Sequence, residues 1–314
     1  MNVRGLKILS VVLITLLIIT LIITFSDNKK DRGNFRSEII SFKIPDITRI
    51  EIASSRNDVP FSISKKSEGQ WEIEREHKRF AAESSQVDNL LHTLSNLKAK
   101  QVVAKSRNNW AQYSVDDSLG TKLRLYQGNT LAADIVAGRM SFSQSRNPYQ
   151  QYPDAVSYLR LAGEETVYAV EGMLTMSVNQ SANDFRNPDI VKCDPQQLTR
   201  VSFTYPGDSS FVLQKGNEQW NINGMPADST HTQEFLNSLR NFTHREFADM
   251  TSVNDQLPLF EIAIEGNNME TIRVKAFLKE EDEYYLMSSM NKETVFTLGN
   301  SQFERLFRGK SWFK

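Results

Sequence analysis

Gln70-Trp71-Glu72-Ile73 returns later in the chain as Gln219-Trp220-Asn221-Ile222. The echo extends both ways, always in the same order. Upstream, Ile47-Thr48-Arg49-Ile50 returns as Leu198-Thr199-Arg200-Val201, and Phe61, Ile63 and Lys65 return as Phe211, Leu213 and Lys215. Downstream, Leu90, Leu91, Leu94 and Leu97 return as Phe235, Leu236, Leu239 and Phe242. Glu165-Thr166-Val167-Tyr168 returns as Glu293-Thr294-Val295-Phe296, and Phe185-Arg186 as Phe307-Arg308. Six matches in order mark an internal duplication. The halves run over 43–191 and 195–314. The offset falls from 151 to 122, so the second copy is shorter by 151 − 122 = 29 residues.

The expected fold class is α+β: two homologous repeats of antiparallel sheet, each with a helix on one face, after an N-terminal transmembrane helix. Ile50 and Ile52, Phe61 and Ile63, then Trp71 and Ile73 alternate with polar residues, the period of a half-buried strand. Val87, Leu90, Leu91, Leu94 and Leu97 then form one apolar helical stripe. Ser84 or Ser85 is the expected cap, and Thr230 with Gln233 the expected capping box of the second helix. More strands follow each helix, and a short amphipathic segment closes each half, Met173 to Phe185 and Ser301 to Phe307. Hairpin after hairpin favours antiparallel sheet.

The N-terminus sets the expected location. Ile8 to Phe25 is an 18-residue run without a charge, near the lower limit for a membrane-spanning helix. It ends in Thr24-Phe25-Ser26-Asp27 without a small-residue cleavage site, which favours an uncleaved signal-anchor over a cleaved signal. Residues 1–26 are then tail and anchor, and 27–42 a polar tether. The short tail favours an N-in orientation with the rest extracytoplasmic.

Composition excludes several classes. Among 314 residues, 39% hydrophobic and 24% charged, there are 37 Lys+Arg and 38 Asp+Glu. Net charge −1 disfavours a nucleic-acid partner. The single Cys193 forms no internal disulfide and no Cys-rich zinc site. His77, His92, His231 and His244 show no metal-ligand spacing. No nucleophile elbow, Walker loop or dinucleotide fingerprint is present. The expectation is a chain without catalysis or cofactor.

The run Ile47-Thr-Arg-Ile-Glu-Ile, then Gln70-Trp71, the Leu-rich helix and Glu165-Thr-Val-Tyr-Ala-Val resembles the domain-of-unknown-function family numbered 4340. That resemblance covers most of the first half and recurs more weakly in the second. It implies a bacterial envelope protein with one N-terminal membrane anchor. The family is often encoded beside gliding-motility-type ABC transporter components, which implies an accessory envelope role. It supplies no catalytic residues.

Equivalent positions in both halves point to packing, so Trp71, Trp220, Leu94 and Leu239 are expected in the repeat cores. Arg49 and Arg200 read as strand-surface contacts, and Glu280 to Glu283 as a charged hairpin tip. The duplication breaks between Gly138 and Tyr158, where the first half carries an insertion rich in Ser, Gln, Asn, Arg and Tyr. Arg139, Arg146, Tyr149 and Tyr152 are residue types favoured at protein interfaces. They form the candidate partner-binding loop. The expected partners are the membrane, through Ile8 to Phe25, and envelope or transporter proteins. The alternative is a small-molecule, glycan or lipid site between the two repeats.

Overall fold

The computed structural model describes residues 38–54, 59–67, 69–143, 154–217, 219–248, 253, 256–280 and 282–314. The expected span Ile8 to Phe25 and the loop residues Arg146, Tyr149 and Tyr152 lie outside them. No helix among the described residues is long and apolar enough to cross a membrane.

The first half begins with β1 (Arg49–Ala53), β2 (Phe61–Ser67), β3 (Gln70–Arg75), β4 (Lys78–Ala81) and helix α1 (Ser84–Ser95). It continues with β5 (Ala99–Ala104), α2 (Trp110–Tyr113), β6 (Thr121–Gln127), β7 (Thr130–Ser143), β8 (Asp154–Leu161) and β9 (Val167–Glu171). Two short helices, α3 (Leu174–Val178) and α4 (Ala182–Phe185), stand where one closing segment is expected. The second half has β10 (Asp189–Val191), β11 (Leu198–Thr204), β12 (Phe211–Lys215), β13 (Trp220–Ile222), β14 (Met225–Pro226) and α5 (Ser229–Ser238). It ends with β15 (Phe242–Thr243), β16 (Phe260–Gly266), β17 (Ile272–Glu280), β18 (Glu283–Ser288), β19 (Asn291–Gly299) and α6 (Asn300–Leu306).

These elements form two compact units. The larger comprises Phe42–Ser95, Thr121–Asp134 and Met176–Lys314; the smaller comprises Asn96–Gly120 and Ile135–Thr175, with the described residues up to Ser41. Strand β7 belongs to the larger unit as far as Asp134 and to the smaller from Ile135.

In the larger unit the order β4-β3-β2-β1-β6 is matched by β14-β13-β12-β11-β16, all pairs antiparallel. Equivalent residues face each other: Ile50 pairs with Ile63 as Val201 pairs with Leu213. Side-chain hydrogen bonds recur as well. Lys65 Nζ donates to the Pro45 carbonyl (3.1 Å), and Lys215 Nζ donates to that of Gln196 (3.4 Å). Period two puts Ile50, Ile52, Ile63 and Ile73 inside, and the α1 stripe Val87, Leu90, Leu91 and Leu94 is buried as well. The second core is aromatic: Phe203 stacks on Phe211 (4.2 Å between ring centres), and Phe303 on both Tyr284 (3.8 Å) and Phe307 (4.6 Å).

The helix starts differ from expectation. Ser84 Oγ donates instead to the Gly69 carbonyl (2.6 Å) and Ser85 Oγ to Glu83 (3.1 Å). At α5 the cap is Asp228, whose carboxylate accepts from the His231 amide (2.7 Å). A carboxylate at this position satisfies an orphan N–H and also meets the positive end of the helix dipole.

In the smaller unit, β8 pairs with β7 and β9, and β5 pairs with β9. Its core joins Ala104, Trp110, Val115, Val136 and Val167. Arg160, 5% exposed, lays its guanidinium 3.9 Å from the Trp110 ring centre and donates to the Val115 carbonyl (2.7 Å). A bulge between Ala137 and Met140 marks β7. Gly138 is needed there, because a Cβ would meet the Tyr113 carbonyl oxygen at 2.1 Å.

The two halves meet inside the larger unit along the segment that leaves α4. Arg186, 1% exposed, lies between the rings of Phe80 (3.8 Å) and Phe247 (4.0 Å), and donates to Thr294 Oγ1 (3.4 Å). A planar guanidinium stacks where an ammonium does not. Replacing Arg186 by Ala is therefore expected to cost about 3 kcal/mol and by Lys about 2 kcal/mol. Arg308→Ala, at the half-buried equivalent position, is expected to cost under about 1 kcal/mol. Chemical denaturation of the three variants measures the order.

Candidate functional site

The seam between the halves opens into a cleft of about 640 Å³ within the larger unit. One wall is the β3–β4 hairpin with Glu72 and Arg79, joined by Lys66 at the end of β2; the other is β18–β19 with Met287, Lys292 and Val295. Arg186 and Phe80 also line it.

The halves differ in the residues that line this cleft. Leu159 pairs with Tyr168 as Leu286 pairs with Phe296, so Met287 stands where the first half has Arg160. Phe247 bridges Phe296 as Val102 pairs with Tyr168, and the chain from Phe247 to β16 is shorter than that from Val102 to β6 and has no tryptophan to answer Trp110. The first half thus fills its own position with Trp110 and Arg160, whereas the second has Met287 and a neighbouring cleft.

The hairpin wall carries strain. Glu76 and His77 form its two-residue turn with φ of 50° and 63°, the left-handed geometry of a type I′ turn. The second half places Asn223 and Gly224 at the same turn, residues that this geometry favours. His77 borders the cleft, so the less favourable pair sits beside the candidate site.

The cleft is cationic. Its described lining holds Lys66, Lys78, Arg79, Arg186 and Lys292 against Glu72 and Glu293. Lys66 pairs with Glu72 (3.4 Å) and Arg79 with Glu74 (3.2 Å), both largely exposed pairs of small energetic weight. The field draws anions toward the cleft and has no chemistry of its own.

The structure separates the other candidates. Arg139 lies in β7, donating to the Gln112 carbonyl (2.8 Å) with its guanidinium 5.2 Å from the Tyr158 ring centre. The insertion between Gly138 and Tyr158, read as a loop, is therefore strand as far as Ser143 and again from Asp154, where β8 begins. The reason is that period-two side chains continue the hairpin past the bulge. Trp71 is 6% exposed, Leu94 and Leu239 are 0%, and Trp220 is only partly buried against the second core. Arg49 lies over Tyr126 (4.1 Å) and reaches Glu51 (3.4 Å), while Arg200 donates to Ser202 Oγ (3.2 Å). Among the described residues no three His, Cys, Asp or Glu side chains gather as a metal site. Arg186 was visible in the sequence only as half of a repeated Phe-Arg pair.

Cys193 is held by burial. Its Sγ lies 3.4 Å from the Leu239 carbonyl, and desolvation, with Asp194 adding repulsion, pushes the thiol up to about 11. At pH 8 the thiolate is scarce, so iodoacetamide should alkylate native Cys193 about 100-fold more slowly than the unfolded chain. Mass spectrometry of timed samples reads the ratio. A second expectation concerns the turn: Glu76→Asn with His77→Gly should raise stability by about 1 kcal/mol in a denaturant titration.

No curated protein and no solved structure matches the chain. The family described as Domain of unknown function (DUF4340) matches over residues 71–259, from Trp71 in β3 to the start of β16. That stretch crosses the junction of the halves, so it takes in α1, the buried Arg186 and α5 together. It covers more than half of the chain, and the chain belongs to the DUF4340 family.

Proposed function

We propose that this is a membrane-anchored extracytoplasmic protein of the bacterial inner membrane that acts by contact, as an accessory component of an ABC-type transporter or other envelope complex. Ile8 to Phe25 is the single-pass anchor, N-in, and 27–42 the tether. The two halves are homologous repeats. The matched strand orders of the larger unit and the paired Lys65 and Lys215 hydrogen bonds support that reading.

One observation carries the contact role. The β7–β8 hairpin leads to the insertion, and at its foot Phe142 is 57% exposed. Phe142 faces Ala155 on β8, whose carbonyl accepts from Gly172, and the next residue, Met173, is 50% exposed. Two exposed apolar side chains, Phe142 on β7 and Met173 just after β9, on either side of β8, suit a partner surface. A second reading, a small molecule held between the halves, is supported by the cationic cleft and is tested by ligand-dependent thermal shifts.

Affinity capture of the full chain in mild detergent, followed by mass spectrometry, tests the contact role. Transporter or envelope proteins should be recovered, and their recovery should fall at least tenfold when 144–153 is replaced by a short turn or Phe142 by Ser. Deleting 1–26 should release the protein from the membrane fraction. Well-folded full chain that recovers no specific partner would remove the contact reading.

A further inference from the structure

The two halves carry the same tryptophan on the same strand and treat it differently. Trp71 is 6% exposed, and the Lys65 ammonium lies 5.9 Å from its ring centre. Trp220 is partly open and forms one wall of a groove of about 490 Å³ on the second half. This groove is distinct from the cleft between the halves, and its volume lies within the range of small-ligand sites.

The lining has an unusual composition. Beside Trp220 stand the amides Gln196, Asn217, Gln219, Gln233 and Asn237, and the floor includes Leu236, 1% exposed. The cations are Lys215 and Arg240. No carboxylate occurs among the described lining residues, and Arg240 makes no ion pair among them. Gln233 Nε2 donates to Asn237 Oδ1 (3.2 Å), which fixes two amides along one helix face.

The first half serves as an internal control. Core residues correspond across the copies, Leu91 to Leu236 and Leu94 to Leu239, at an offset of 145. At that offset Gln233, Asn237 and Arg240 answer to Asp88, His92 and Ser95. All three second-half residues are exposed, so packing does not dictate them. The helix face beside the open tryptophan has exchanged an acid and a histidine for two amides and a serine for a cation, while the face against the core kept its pattern.

From this arrangement we infer that the Trp220 groove binds an acidic oligosaccharide. The indole face receives the C–H face of a sugar ring, a flat apolar surface edged by hydroxyls. The amides both donate and accept, which matches sugar hydroxyls. Lys215 and Arg240 meet the carboxylate of a uronic acid by charge-assisted hydrogen bonds. The site does not depend on the contact role or on the cleft between the halves.

Calorimetric titration of the full chain at low salt, with trigalacturonate as the acidic probe and chitotriose as the neutral one, tests the inference. Trigalacturonate should bind saturably at one site, at least tenfold more tightly than chitotriose. Trp220→Ala should weaken it at least tenfold. The triple change Gln233→Asp, Asn237→His and Arg240→Ser, at exposed positions, should do the same without altering the thermal melt. Failure of trigalacturonate to saturate, preference for chitotriose, or unchanged binding by a folded triple variant would each overturn the assignment.

Discussion

A charge with almost no water around it sits where the chain passes from one sheet to the next. Taking a guanidinium out of water costs several kcal/mol unless geometry compensates. Arg186 is compensated by two aromatic faces, Phe80 from the first half and Phe247 from the second, and by hydrogen bonds to Asn183 and Thr294. The neighbouring backbone continues the seam. Phe185 O accepts from Glu83 N, and Asn187 N donates to Ala81 O, both on the first half. On the other side Asn291 Nδ2 donates to Asn187 O and Ser288 Oγ to Ile190 O. The linking segment is thus bonded to both halves, and its buried arginine borders the cleft between the β3–β4 and β18–β19 walls.

The larger unit repeats an architecture and varies its surroundings. Thr48 Oγ1 donates to the Tyr126 carbonyl and Thr199 Oγ1 to the equivalent Glu265 carbonyl, so even polar details survive. The differences include the β7–β8 hairpin, the stretch holding Trp110, and the exposed face of α5. Conserving the core while changing what borders it is how one fold supports several contacts.

Much of this was legible in the sequence, because period two and the helical stripe are local properties. Ile50, Ile63, Leu91 and Leu94 are buried as their spacing requires. The caps were less legible: Ser84 and Thr230 are good capping types, yet Ser84 donates its hydroxyl to the Gly69 carbonyl and Asp228 caps the second helix. Nonlocal pairing left no trace in periodicity. Strand β5 follows α1 directly but pairs with β9, far along the chain, which draws 96–120 into the smaller unit. Nor does spacing show that Trp220 is open while Trp71 is covered. That depends on what distant parts of the chain place beside each ring.

The edges limit how any partner is met. A free strand edge would invite strand addition. β4 bears Lys78 and Arg79, and beyond it Ala82 bridges Arg186. β14 is two residues long and ends in Pro226, which offers no N–H. β19 is flanked by 246–248, whose Ala248 amide donates to Val295 and whose Glu246 carbonyl accepts from Thr297. Beside β5, Glu38 bridges Lys98, and Lys100 pairs with Asp154 (3.9 Å). With the backbone edges blunted or occupied, recognition falls to side chains. Among the features the described residues offer for it are the exposed Phe142 at the loop end of the β7–β8 hairpin, the cationic cleft and the open tryptophan. Each lies where the two halves differ in sequence, whereas the residues they share are largely buried in the sheets and helices.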